Sequence, residues 1–255
     1  MSWSAQQYVK FEDERTRPVR DLLAAVPTQA PRRAIDLGCG PGNSTQVLKT
    51  RFPDAAVMGL DSSEEMVRAA RERLPDISFE VGDIDAWESP AEWDVILSNA
   101  VLQWLPDHWA TLPRLVDKLA PGGSLAVQMP DNLDQAYHIL MREIAQVGAW
   151  AETLRRVREE RKDLPPPAAY YNLLKPACQR VDVWRTTYHH VLPGVDAVVE
   201  WFKGAALWPF LKPLDDDERA AFLERYRAGI AAAYPLQEDN MVLLPFPRLF
   251  IVATR

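Results

Sequence analysis

Three glycines within five residues follow an acidic residue near the start of the chain, and this spacing suits nucleotide binding. Asp36 lies in the apolar run Ala34–Leu37, and Gly38, Gly40 and Gly42 come after it. Glycine adopts positive φ at little cost and lets a ligand approach the main chain closely. The helix predicted after the turn would direct its free N–H groups at that ligand. A strand, a glycine turn and a helix in this order are typical of the ligand-binding corner of a doubly wound α/β sheet.

Two further acidic residues stand at the ends of later apolar segments. Ala56–Asp61 predicts a second buried strand, and its last residue comes 23 positions after Gly38. An acid at about that distance can accept hydrogen bonds from both ribose hydroxyls of a nucleotide. The segment Ile77–Val81 predicts a third strand, which Gly82 and Asp83 follow. Parallel strands end at one edge of a sheet, so these acids would surround a single ligand.

The pattern D-x-G-x-G-x-G that begins at Asp36 resembles motif I of the class I methyltransferases, which use S-adenosylmethionine (SAM). A dinucleotide-binding turn of the form G-x-G-x-x-G would need glycine where the chain has Asn43. Two later segments are similar to the same family: Trp93–Asp107 matches its fourth strand and the region after it, and Pro121-Gly122-Gly123 matches the entry to its fifth strand. Blocks matched in order over residues 34–127 favour a methyltransferase over a dehydrogenase or a purely structural turn.

This resemblance implies a seven-stranded, Rossmann-like α/β sheet that carries an inserted helical substrate cap. It implies SAM as the cofactor, S-adenosylhomocysteine as the product, and no metal. In the family, the acid after the third strand pairs with the adenine amino group and the next apolar residue packs on the ring. By position in the matched blocks, the residues expected to bind SAM are Asp36, Gly38, Cys39, Gly40, Asn43, Asp61, Ser62, Met66, Gly82, Asp83, Ile84, Ser98, Asn99, Ala100 and Trp104.

A second resemblance extends over nearly the whole chain. The N-terminal pattern W-x-x-x-x-Y-x-x-F-x-x-E-R-x-R-P, the block Leu102–Asp107 and the late segment Leu244–Ala253 are similar to the trans-aconitate methyltransferases. This similarity implies esterification of one carboxylate of a small polycarboxylic acid, trans-aconitate above all. A carboxylate with a pKa of about 4 is already anionic at neutral pH, so we expect no catalytic base and assign no catalytic residue. The reaction would depend on positioning.

Donors for the other carboxylates of the acid are expected in segments that would lie over the methyl group. Arginine suits carboxylates best, and tyrosine, glutamine and tryptophan offer neutral donors. For each aromatic candidate, core packing is the alternative. His189 and His190 are adjacent in a predicted strand, so at most one of them can face the site. The candidates for substrate binding are Gln7, Tyr8, Gln103, Trp104, Tyr170, Tyr171, Arg180 and Arg185.

The chain changes after Met129-Pro130 from alternating strands and helices to mostly helix. Amphipathic patterns predict helices over residues 131–148, 149–162 and 215–233. We expect one catalytic domain over residues 1–255. Its parts would be an N-terminal flap or helix (1–28), a SAM-binding core (30–131), a helical cap (132–178), a core strand (179–192), a second helical insertion (194–240) and a last core strand (244–255).

Composition agrees with an enzyme that acts on a small molecule. The formal net charge is −7 and no basic stripe is visible, which counts against nucleic acid as the acceptor. No apolar run has the length of a membrane span, and the N-terminus lacks a signal-peptide pattern. Two cysteines, one of them in the glycine turn, favour a reducing compartment over a disulfide framework. We therefore expect a cytoplasmic monomer or weak oligomer that contacts neither nucleic acid nor membrane.

Two other functions are open at this point. A carboxyl methyltransferase could act on another small acid or on a carrier-bound acyl chain, which would require an apolar channel and a basic docking patch. The aromatic residues of the cap are compatible with the channel, but the acidic chain shows no such patch. A SAM-binding protein without catalysis is the third hypothesis, because intact Asp36, Asp61 and Asp83 concern cofactor retention alone.

Overall fold

Strands and helices alternate along the first half of the chain, as the apolar segments predict. The computed structural model describes residues 12–89, 92–155, 157, 161–203 and 206–255. These residues divide into two units. The sheet unit takes the described residues of Tyr8–Pro130, Leu164–Thr186 and Arg248–Arg255, and the helical unit takes those of Asp131–Asp163 and Thr187–Pro247.

The sheet unit is built from strands joined by helices. Its elements through Pro130 are α1 (Glu12–Ala24), β1 (Arg33–Leu37), α2 (Asn43–Arg51), β2 (Ala56–Asp61), α3 (Glu64–Arg73), β3 (Ser78–Val81), β4 (Trp93–Asn99), α4 (His108–Asp117) and β5 (Leu119–Pro130). β1 pairs in parallel with β2 and β4, β2 with β3, and β4 with β5. This arrangement places the carboxyl ends of the strands at one edge, where ligands bind in open α/β sheets.

The second half of the chain completes the sheet and forms the helical unit. Its elements are α5 (Ala136–Ala145), α6 (Ala151–Leu154), α7 (Pro167–Leu174), β6 (Arg180–Leu192), α8 (Gly194–Lys203), α9 (Trp208–Leu211), α10 (Asp216–Ala233) and β7 (Val242–Thr254). The strand order is β3-β2-β1-β4-β5-β7-β6, with β7 antiparallel to β5. The seven strands formed by the described residues confirm the expected Rossmann-like sheet.

The helices after Pro130 are shorter than the amphipathic patterns predict. Within 131–148 the helix α5 begins only at Ala136, because a turn in which the N–H of Gln135 donates to the carbonyl of Asn132 precedes it. Gly148, at φ +96°, follows its end. Within 149–162 the described helix is limited to α6.

Residues 164–178, expected in the helical cap, belong to the sheet unit. The reason is the burial of α7: Tyr170 and Leu174 lie in the apolar cluster that also contains strand residues such as Ile96 and Leu125. Tyr170 and Leu174 are four residues apart and so lie on one face of α7. The sequence predicts that this face is buried, but it does not predict whether a sheet or a cap covers it.

The helical unit has its own buried core. α10 begins and ends close to the predicted bounds, and its N-terminus is capped by Asp215, whose Oδ1 accepts a hydrogen bond of 2.9 Å from the N–H of Glu218. Tyr226 of this helix is buried and donates its hydroxyl to the carbonyl of Tyr137 in α5, at 3.1 Å. Of the helices that the structure describes, none is both long enough and apolar enough to cross a membrane.

Candidate active site

The glycine turn leaves β1 and bends back over the end of β2. Gly38 has φ +74°, and the N–H groups of Gly38 and Cys39 both donate to the carbonyl of Leu60, at 2.7 and 3.0 Å. A Cβ on Gly38 would overlap the side chain of Val101. A Cβ on Gly40, at φ +53°, would meet no described atom within 4 Å. The turn is therefore packed at its first glycine and open at its second, where a ligand can approach.

Asp36 is fully buried at the end of β1 and links that strand to the first turn of α2. Its Oδ2 accepts hydrogen bonds of 2.7 Å from both Ser44 Oγ and Thr45 Oγ1, whereas its Oδ1 has no partner among the described residues. Burial raises the pKa of this carboxyl from its ordinary 3.8 to about 6, although the two hydroxyls act in the opposite direction. The unpaired oxygen can accept a hydrogen bond from a cationic group.

Asp61 ends β2 with both carboxylate oxygens already oriented by the main chain. Oδ2 accepts a hydrogen bond of 2.9 Å from the N–H of Gly40, and Oδ1 accepts one of 2.9 Å from the N–H of Ser63. Each carboxylate oxygen can accept about two hydrogen bonds, so each retains capacity for a ligand. Two such acceptors side by side match a pair of neighbouring hydroxyls.

The end of β3 lies beside the end of β2. The N–H of Gly82 donates to the carbonyl of Asp61 at 3.0 Å, which brings the next residue, Asp83, to the same edge. Asp83 is exposed, and its Oδ1 accepts a hydrogen bond of 2.9 Å from the N–H of Asp85. Ile84 is buried in the apolar cluster of the sheet.

Two of the expected cofactor residues flank the start of α3. Ser63 caps this helix, and its Oγ accepts from the N–H of Met66 at 3.4 Å. Ser62 is exposed and Met66 is buried on the inner face of the helix. Of these two candidates, only Ser62 has an exposed side chain.

The end of β4 carries the next three expected cofactor residues. Ser98 is fully buried and donates to the carbonyl of Leu37 at 3.2 Å, so it joins β4 to β1. Ala100 has φ +57° and donates its N–H to the carbonyl of Gln128 at 2.8 Å. Asn99 Oδ1 has no partner among the described residues, and the same holds for Asn43 Oδ1 in α2. A small cleft here is lined by Thr16, Val19, Gly38, Cys39, Asn43, Ser44 and Asn99.

The expected substrate residues near this edge are only partly described. Gln7 and Tyr8 lie outside the described residues. Gln103 is buried, and its Nε2 donates to the carbonyl of Ala100 at 2.6 Å, while its Oε1 has no described partner. Trp104, the next residue, is 38% exposed. Gln103 and Trp104 therefore follow the end of β4 directly, one turned inward and one turned out.

The next two substrate candidates, Tyr170 and Tyr171, lie in α7. Tyr170 is fully buried, its hydroxyl is 2.9 Å from Nε2 of His108, and its ring centre is 5.4 Å from that of Trp109. The structure thus places Tyr170 in the core, which is the alternative role weighed for each aromatic candidate. Tyr171 is exposed.

The β6 candidates lie on exposed parts of that strand. Arg180 pairs with Asp182 at 3.3 Å, and Arg185 is exposed. Further along β6, His189 is exposed and His190 is buried, as the alternation of a strand predicts. The structure therefore brings the cofactor candidates together at one sheet edge but does not gather those substrate candidates that it describes.

The buried polar residues that are not sequence candidates include a pair on neighbouring strands of the sheet. Gln128 of β5 is fully buried, and Arg248 of β7 is 4% exposed. Each interrupts an apolar stretch of its strand. A lone polar residue in a buried strand is the sequence signal that could have identified them, since such a residue needs a partner.

Comparison with known proteins identifies the family. A family model described as a methyltransferase domain matches residues 34–123. The chain is 55% identical to a trans-aconitate 2-methyltransferase of Rhodopseudomonas palustris (strain BisB5) over 99% of both chains. It is 53% identical to that of Rhizobium meliloti (strain 1021), over 100% of this chain and 99% of the relative. The chain belongs to the trans-aconitate 2-methyltransferase family.

Membership of the trans-aconitate 2-methyltransferase family confirms the expected enzyme class, a methyltransferase with SAM as cofactor. The fold agrees with solved structures as well. The YcgJ protein from Bacillus subtilis covers 94% of this chain and 98% of its own length with a TM-score of 0.59, at 11% identity. The matched domain, residues 34–123, contains the glycine turn, Asp61, Asp83 and the end of β4.

Proposed function

We propose that this protein transfers the methyl group of SAM to one carboxylate of trans-aconitate, which gives a monomethyl ester and S-adenosylhomocysteine. The observation that carries the proposal is the 55% identity to a trans-aconitate 2-methyltransferase over 99% of the chain. Such a similarity is not confined to the methyltransferase domain. It also includes the helical unit, which the general methyltransferase match at 34–123 does not reach.

The residues around the glycine turn fit SAM by the chemistry of their donors and acceptors. Asp36, Asn43 and Asn99 each have a buried Oδ1 with no partner among the described residues, and the ammonium group of SAM would satisfy acceptors of this kind. Asp61 would accept hydrogen bonds from the ribose hydroxyls. Asp83 would accept one from the adenine amino group.

The chain's own task in the reaction is to position the acid. When bound, SAM supplies an electrophilic methyl group. No residue has to remove a proton, because the acceptor carboxylate is ionised at neutral pH. The site has instead to hold the acid in line with the methyl group and to limit water around it. Burial raises the pKa of the Cys39 thiol far above its ordinary value, so this cysteine stays protonated and does not compete as a nucleophile.

The direct test is methyl transfer from isotope-labelled SAM into a panel of di- and tricarboxylic acids and one acyl-carrier substrate, with mass detection of the ester. We expect a labelled monoester with trans-aconitate. Preferred transfer to a carrier-bound acid would replace the proposed substrate. Binding of SAM without transfer to any acid would indicate a non-catalytic SAM-binding protein.

We also propose a small-molecule partner only, with no nucleic acid or membrane contact, and a cytoplasmic monomer or weak oligomer. The net charge of −7 supports the first part, because an acidic chain repels phosphate backbones. Light scattering of the purified protein would give its oligomeric state. The function of the helical unit as a substrate cap stays a prediction.

A further inference from the structure

Gln128 and Arg248 form a buried pair on adjacent strands. Gln128 is fully buried on β5, Arg248 is 4% exposed on β7, and Nη1 of Arg248 donates to Oε1 of Gln128 at 3.0 Å. Removing a guanidinium from water costs free energy. An arginine fixed in such a place by a hydrogen bond is well suited to bind a carboxylate, because its donors match the geometry of two oxygens.

The hydrogen bond between the two side chains also fixes the orientation of the Gln128 amide. A guanidinium only donates hydrogen bonds, so the amide must turn its oxygen towards Arg248. The amide nitrogen, Nε2, then points away from the arginine, and it has no hydrogen-bond partner among the described residues. Buried polar atoms are nearly always paired in folded proteins. The unsatisfied atom here is a donor, and the ligand that would satisfy it is an acceptor such as a carboxylate oxygen.

The pair lies on the side of the sheet that carries the cofactor candidates. The register of β4 and β5 places Asn99 opposite Gln128, so these two side chains leave the sheet on the same face. Val127 and Met129, on either side of Gln128, belong to the apolar cluster of the opposite face. Asn99 also lines the cleft at the glycine turn. Gln128 and Arg248 therefore continue a line of polar groups from the proposed SAM site across β4, β5 and β7.

We propose that Gln128 and Arg248 form a carboxylate subsite that holds a carboxylate of the acceptor other than the one that is methylated. This inference rests on the proposed function, since it names the residues that recognise its substrate. Arg248 would supply the positive charge and Gln128 a neutral N–H donor. The subsite would select acids with a second carboxylate at the correct distance from the reacting one.

Two conservative variants test the subsite. Gln128→Glu keeps the size of the side chain and can still accept from Arg248, but it replaces the free donor by a negative charge. Arg248→Lys keeps the charge and loses the planar donor geometry. For trans-aconitate we expect KM to rise about 10- to 100-fold in each variant, by analogy with other charged hydrogen bonds. The carboxylate of SAM is the other candidate ligand for such a pair, so SAM affinity is measured by calorimetry as well. It should stay within about twofold, because the pair is assigned to the acid.

A control and a second substrate separate recognition from structural damage. Ser124→Ala changes a buried polar residue on the same strand and the same face, and KM should stay at the wild-type value. Crotonate has a single carboxylate and would leave the subsite empty, so the variants should lose much less with crotonate than with trans-aconitate. An unchanged KM, an equal loss with both acids, or a loss of SAM affinity instead of acid affinity would each overturn the subsite. If wild-type protein does not methylate trans-aconitate, the proposed function fails, and the same variants then test the subsite with whichever polycarboxylic acid is methylated.

Discussion

Asp61 accepts a hydrogen bond of 2.9 Å at its Oδ2 from the N–H of Gly40, 21 residues earlier in the chain. The acid at the end of β2 therefore fixes the turn that follows β1. Its other oxygen binds the N–H of Ser63 and so holds the start of α3. One side chain both shapes the proposed SAM site and offers acceptors to it.

Loss of the Asp61 carboxylate should weaken SAM binding. We expect Asp61→Ala to reduce SAM affinity about 30- to 150-fold in calorimetry, equivalent to about 2–3 kcal/mol for hydrogen bonds to a charged group. Asp61→Asn, which keeps one acceptor, should lose less. Asp54→Ala changes an exposed acid just before β2 and should leave the affinity unchanged. An unaltered affinity in folded Asp61→Ala would remove this residue from the site.

Alanine at two glycines of the turn should have different effects. Both substitutions add left-handed strain of about 1–2 kcal/mol, but only at Gly38 does the new Cβ also overlap Val101. We expect Gly38→Ala to lower the free energy of unfolding in urea clearly more than Gly40→Ala does. In Gly40→Ala the new methyl group enters the open side of the turn, where SAM would bind. The loss of SAM binding free energy should therefore exceed the loss of unfolding free energy in this variant. Equal stability losses in the two variants would contradict this account.

The raised pKa of Asp36 predicts a pH-dependent stability of the SAM-free protein. A carboxyl whose pKa is higher in the folded state stabilises the fold below its unfolded pKa, and this contribution is lost as the pH rises through the folded value. A rise from 3.8 to about 6 corresponds to about 3 kcal/mol. Relative to Asp36→Asn, the wild-type free energy of unfolding should therefore fall between about pH 4 and pH 7. A difference that stays constant over this range would show that Asp36 does not titrate as stated.

A preformed carboxylate as the acceptor predicts a nearly flat pH profile for the methyl transfer. At saturating SAM and acid, kcat should change little from about pH 6.5 to pH 9, because no group has to lose a proton in that range. The measurement is the initial rate of labelled ester formation in a series of overlapping buffers. A steep rise with a midpoint between about pH 7 and 8 would indicate a general base and an alcohol, amine or thiol acceptor.

Tyr170 should matter for stability and not for the acid. Tyr170→Phe removes the hydroxyl that lies 2.9 Å from Nε2 of His108, so the free energy of unfolding should fall by about 1 kcal/mol. KM for trans-aconitate should not change. Tyr171→Phe, at the exposed neighbouring position, should alter neither quantity. A raised KM in Tyr170→Phe alone would place this tyrosine at the substrate after all.

The candidate cofactor site can be proposed from the sequence because its residues have local signals. Asp36, Asp61 and Asp83 each stand at or just after the carboxyl end of an apolar strand segment, and the ends of neighbouring parallel strands must meet. The glycine turn is also local, since its shape needs positive φ within a few residues. The parallel order of the strands is therefore enough to predict that these acids lie at one edge of the sheet.

The acceptor side could not be predicted from the same kind of signal. Tyr170 has the spacing of a buried helix face, but spacing does not say which surface covers that face. Gln128 and Arg248 are separated by 120 positions and become neighbours only because β7 pairs with β5. The hydrogen bond that orients the Gln128 amide is a tertiary contact, and no local pattern encodes it.

The strand order has a consequence for the synthesis of this chain. β6 is made before β7, yet β7 lies between β5 and β6 in the finished sheet. On the ribosome, β6 therefore lacks its native neighbour until β7 has emerged, and β5 presents an unpaired edge in the meantime. Unpaired edges promote aggregation. A premature stop codon before Val242 would remove one strand from the sequence but would take two out of the sheet.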